Sequence, residues 1–120
     1  MGARAAGVDT AWCEALSAAL GEVATATQSL GALGDPAAML RHSVDYLDMV
    51  ATAVVAWSWL RRATAAHAGL DRSDADGDFY SGQLAAAQYW FATEVPRIGM
   101  LAERCRDNDD AYERMRADWF

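Results

Sequence analysis

From Met49 to Leu60 the chain reads MVATAVVAWSWL, twelve residues without a charge, closed by Arg61 and Arg62. This run constrains the fold more than any other segment, because a single helical stripe does not account for it. Leu40, Val44, Leu47, Ala51 and Val54 step by three or four and form one apolar line on a helix. Tyr46, Val50, Ala53, Trp57 and Leu60 form a second line beside it. Trp59 belongs to neither, lying about 200° around the axis from Trp57 on the line of Met49 and Ala56. A helix apolar over most of its circumference has to be covered on several sides. The run falls short of the roughly 20 residues of a membrane span, so it reads as a buried central helix.

Two further long helices flank it. The first extends from Asp9 or Thr10 to Leu30, with Trp12, Leu16, Leu20, Val23, Thr27 and Leu30 at helical spacing and Gly31 and Gly34 as stops. Asp35-Pro36 combines an N-cap carboxylate with proline at the first helical position, so the central helix is expected from there to about Ala68. After a polar loop, LDRSDADGD over 70–78, a third helix carries Tyr80, Leu84, Ala87, Phe91, Val95, Ile98 and Leu101 on one face. Pro96 should kink it, since proline lacks the N–H owed to Ala92 and presses on that carbonyl. A short last helix presents Tyr112, Met115 and Trp119. The expected fold is all-α: one domain over 1–120, an antiparallel bundle of three long helices plus a short C-terminal helix.

Composition narrows the function. A net charge of −7 argues against nucleic acid or anionic lipid as a partner. All ten basic residues other than histidine are arginine, a bias typical of GC-rich bacterial genomes. Two distant cysteines, Cys13 and Cys105, do not make a secreted disulfide scaffold, and the first residues lack a signal-peptide core; the expected compartment is the bacterial cytoplasm. No metal is expected. An EF-hand loop from Asp74 would need glycine at 79 and glutamate at 85, where Phe79 and Ala85 stand, and no Glu-x-x-His pair is present. No glycine-rich phosphate cradle and no nucleophile elbow occurs, and no cofactor is expected.

Two groups of residues remain as candidate sites. His42, Asp45 and Tyr46 stand at i, i+3 and i+4, where a carboxylate can orient an imidazole for general base chemistry. Trp57, Trp59, Tyr89 and Trp90 (with Phe91) could line a pocket for a flat ligand, although such spacings more often belong to a core or an interface.

Trp57-Ser-Trp59-Leu-Arg-Arg-Ala63, followed by Asp78-Phe79-Tyr80, Leu84-Ala-Ala-Ala87, Tyr89-Trp-Phe91 and Pro96, resembles the extra C-terminal helical domain of certain bacterial acyl-CoA dehydrogenases, including the 3-methylmercaptopropionyl-CoA dehydrogenase type. Asp35-Pro36, Tyr46-Leu47 and Trp119-Phe120 fit the same pattern, which covers roughly residues 9 to 120. Gln83 departs from it, standing where that family tends to carry lysine. The resemblance implies that the flavin site and the proton-abstracting glutamate belong to preceding domains, so no catalytic residue is carried over. It implies a non-catalytic accessory or interaction domain, either a homodimer or docked on a dehydrogenase-like protein. The alternative is a stand-alone cofactor-free enzyme or small-molecule-binding protein using His42, Asp45 or Tyr46 beside the aromatic cluster.

Overall fold

The computed structural model describes residues 10–71 and 76–120. The alternative helix start at Asp9 and the acidic loop residue Asp74 lie outside them. Helix α1 spans Thr10–Gly31, α2 Pro36–Leu40, α3 Ser43–Asp71, α4 Gly77–Thr93, α5 Arg97–Asp107 and α6 Ala111–Arg114, with a final 3₁₀ turn at Ala117–Trp119. Among the described residues there is no strand, and the all-α bundle with three long helices is the observed class.

The helix ends follow local chemistry, with four differences from the sequence reading. Helix α3 runs past the expected end at Ala68 to Asp71, and α6 ends at Arg114 and leaves Met115 and Trp119 outside it. The central and third helices are each broken. The Asp35 carboxylate accepts the Ala37 N–H at 3.2 Å, capping α2 ahead of Pro36 as expected. The central helix does not run on unbroken from there: α2 stops at Leu40, the chain turns through Arg41 and His42, and α3 begins at Ser43. Contacts from the C-terminal tail hold this turn, and no local sequence signal announces them. The expected kink at Pro96 is a full break. The N–H groups of Glu94 and Val95 both converge on the Trp90 carbonyl, at 2.9 and 3.1 Å, and a new helix starts at Arg97. Proline has no N–H with which to continue the ladder, and the widened turn takes its ring out of conflict with the preceding carbonyls.

Helix α3 runs antiparallel to the α4–α5 arm. Arg104 faces Asp45, Arg97 faces Asp48 and the Trp90 indole faces Thr52, so rising positions on one helix meet falling positions on the other. Helix α1 packs against α5 and α3, and Trp12 near its start stacks on Phe91. Among the described residues α1 reaches no farther, and beyond this level α3 and α4 form a two-helix arm. The molecule is correspondingly long and thin, 66 × 31 × 18 Å. Its radius of gyration is 18.8 Å. A compact domain of this length would have about 14 Å.

Small residues make the α3–α4 seam. Ala53, Ala56, Ala63 and Ala87 are buried, together with Met49 and Leu60. At Gly69 an added Cβ would stand 2.5 Å from the Tyr80 ring, so only glycine admits that ring against the α3 backbone. Alanine and glycine let two helices approach closely. This seam runs along the Met49–Ala56 line, on whose side Trp59 is half-buried against the core.

Candidate functional site

The line expected to help fill the bundle is the one left outside. Leu40, Val44, Leu47 and Val54 are 67, 79, 69 and 56% exposed, and Trp57 beside them is 51% exposed. Burying the alanine line against α4 and α5 turns this opposite face of α3 to solvent. Scattered exposed leucines are ordinary, but Val44, Leu47, Val54 and Trp57 along one side of α3, with Leu40 at the end of α2, make an apolar surface of the kind that marks an interaction site.

At the start of α3 the patch runs into a groove of about 290 Å³, bounded by Thr27, Leu30, Met39, Leu40, Ser43 and Tyr46. Its walls come from the end of α1, from α2 and from the first turn of α3. Tyr46 is fixed there. Its hydroxyl lies 2.8 Å from the Thr27 hydroxyl, which itself donates to the Val23 carbonyl at 2.7 Å, so Tyr46 is the donor. The groove is therefore apolar with one satisfied hydroxyl pair at its wall.

His42 and Asp45 are brought together, with Nδ1 and Oδ2 3.4 Å apart, while Tyr46 is drawn to α1. The other imidazole nitrogen, Nε2, lies 2.8 Å from the Asp109 carbonyl, and the ring stands edge-on to Tyr112. Both ring nitrogens thus face oxygen atoms of the protein. Around them Arg41 pairs with Glu113 at 3.0 Å, the Tyr112 hydroxyl donates to the Arg41 carbonyl at 2.7 Å, and Asn108 donates to the Ala38 carbonyl at 3.1 Å. This polar latch ties the tail to the α2–α3 turn. The hydrogen bond to Glu113 holds the Arg41 guanidinium above its ordinary pKa. Sequence reasoning passed over Arg41, Asn108 and Glu113 and read Tyr112 only as part of the last helix's apolar face, since partners about seventy positions apart share no local pattern.

The four aromatic candidates occupy separate places. Arg61 lies over the Trp57 ring and Arg62 over the Trp59 ring, with centroid distances of 5.0 and 5.1 Å. Trp90 donates its indole N–H to the Thr52 carbonyl at 3.3 Å, and Tyr89 is 63% exposed. None of the four lines the Tyr46 groove, the groove bounded by Arg62, Phe79, Tyr80 and Gln83, or the one between α1 and the Pro96 break. Gln83, at the position where the resemblance led to an expectation of lysine, shares its groove with Arg62. Among the described residues no three His, Cys, Asp or Glu side chains gather as metal ligands, and no helix is long and apolar enough to cross a membrane.

The fold and this surface define a helical accessory domain whose prominent feature is an uncovered apolar face. The chain belongs to the acetyl-CoA dehydrogenase C-terminal-like family, whose model matches residues 3–116. No curated protein and no solved structure matches it significantly.

Proposed function

We propose that this chain is a non-catalytic interaction domain, joined through the outward face of α3 either to a second copy of itself or to an acyl-CoA dehydrogenase-like body. The carrying observation is the exposed line Val44, Leu47 and Val54 on the longest helix, with exposed Leu40 at the end of α2 beside it. Leaving so much apolar surface in water is unfavourable, and removing it at an interface returns roughly 25 cal/mol per Å² before the costs of association. Family membership supports the dehydrogenase-like partner, because domains of this type are described as the C-terminal part of such enzymes. A bacterial cytoplasmic setting fits the lysine-free composition with two widely spaced cysteines.

The test is sedimentation of the chain alone and mixed with the flavin-loaded body of a dehydrogenase from this family that lacks its C-terminal helices. A heavier species in either sample, abolished by Leu47→Glu, is the expected outcome. A chain that stays monomeric and binds no such body defeats the reading.

A further inference from the structure

We propose that the partner on this face is a second copy of the chain, its α3 antiparallel to the first, with Val50 at the two-fold axis and Trp57 of each copy seated at the groove of the other. The proposal rests on the interaction reading above and specifies its occupant and register. On α3, Val44, Leu47, Ala51, Val54 and Ser58 alternate steps of three and four, the spacing of a helix–helix seam, and Leu40 stands just before the break that precedes it. Ser43, Val50 and Trp57 follow one flank of that seam at seven-residue steps, Ser43 and Trp57 exposed and Val50 partly buried against the core. In an antiparallel pair like flanks meet, so a two-fold axis at Val50 sets Ser43 of each copy opposite Trp57 of the other. Ser43 is a wall residue of the Tyr46 groove, beside Leu40 and Met39. The half-exposed indole and the open apolar groove thus come into register by symmetry, without any adjustment of the helix. The same register sets Val44 against Val54 and Leu47 against Ala51, so the exposed side chains cover one another.

The acidic residues in the first half of α3 are already paired within the chain, Asp45 with Arg104 at 3.4 Å and Asp48 with Arg97 at 2.7 Å, so the pairing rests on apolar cover and not on charge. The two Asp48 carboxylates approach each other on the other flank, each held by its own Arg97. The exposures of Leu40, Val44, Leu47, Val54 and Trp57 correspond to on the order of 600 Å² per copy, or about 1,200 Å² per pair, at the lower edge of what stable interfaces bury. The dimer is expected to be reversible, its affinity set by how fully Leu47 and Trp57 are buried rather than by area. With a net charge of −7 on each copy it tightens as salt screens the mutual repulsion.

Analytical ultracentrifugation of the full chain from low to high micromolar concentration tests the pairing. The wild type dimerises reversibly and more tightly at higher ionic strength. Leu47→Glu raises Kd by about 100-fold or more with unchanged helicity, and Trp57→Ala raises it by about 10-fold. In a Cys13→Ser background, Val50→Cys oxidises to a covalent dimer and the control Leu20→Cys does not. A dimer that survives Leu47→Glu, or cross-linking at position 20 and not at 50, overturns the proposal. A wild type that remains monomeric but binds the dehydrogenase body through Leu47 overturns the second copy and leaves the interaction reading standing. Absence of both associations removes both.

Discussion

Trp12 lies flat on Phe91, ring centroids 5.4 Å apart and planes within 5° of parallel, at the level where α1 ends its contact with the α3–α4 hairpin. Phe91 is buried, and Trp12 closes the open edge of the core above it. Stacked rings and a filled core both contribute here. Phe91→Ala is expected to destabilise the chain by about 3–5 kcal/mol and Trp12→Ala by less, about 2–3 kcal/mol. Urea denaturation followed by far-UV circular dichroism measures both. Equal and negligible losses would mean that α1 is held by α5 alone.

Gly69 sets the spacing of the two-helix arm. Alanine is normally the better helix former, by about 1 kcal/mol, so Gly→Ala in a helix usually stabilises. Here the new methyl meets the Tyr80 ring, and Gly69→Ala should destabilise by about 1–3 kcal/mol through overpacking. In a Tyr80→Ala background the same change should become neutral or favourable. A thermal melt of the four variants in the cycle decides it.

The C-terminal latch predicts a protease-sensitive tail. Tyr112→Phe removes the hydroxyl that donates to the Arg41 carbonyl, a loss of about 1 kcal/mol. Trypsin should then cut faster after Arg114 and Arg116, while the helical content stays the same. An unchanged cleavage rate would show that the Arg41–Glu113, His42–Asp109 and Asn108–Ala38 contacts hold the tail without it.

The two thiols should separate by reactivity. Burial first, and the Asp45 charge second, push the Cys105 thiol above its ordinary pKa, whereas Cys13 is half-buried on α1. Cys13 is expected to label first with a thiol reagent at mildly alkaline pH, and Cys105 only as the chain opens. Because the folded state disfavours the Cys105 thiolate, its linkage leaves stability untouched below the unfolded thiol pKa and lowers it as pH rises from there through the folded value. Cys105→Ala should flatten that alkaline loss, read as the change in urea midpoint with pH. Faster labelling of Cys105 than of Cys13 would contradict the assignment.

The chain should purify colourless and bind flavin weakly at best. It has no glycine-rich phosphate cradle and no lysine. A titration with FAD or FMN giving sub-micromolar affinity would overturn the accessory-domain reading.

The all-α class and most helix limits were legible in the residues themselves. Gly31 and Gly34 end α1, Asp35 and Pro36 open α2, and Pro96 divides α4 from α5, each through backbone chemistry that acts within a turn or two. The break at Arg41-His42 was not legible, because it depends on Tyr112, Glu113 and Asp109 arriving from the far end of the chain. Nor could periodicity decide which face of α3 is buried. Its apolar residues surround most of the axis, so a local pattern permits several orientations. Packing selects the Met49, Ala53, Ala56, Leu60 and Ala63 side, where small side chains let α4 come close, and thereby turns Val44, Leu47 and Val54 to the solvent. The sequence by itself determined that this chain is helical and where most of its helices begin and end. Only the tertiary structure decided which apolar face became core and which became surface, because that choice depends on how closely two distant helices can approach.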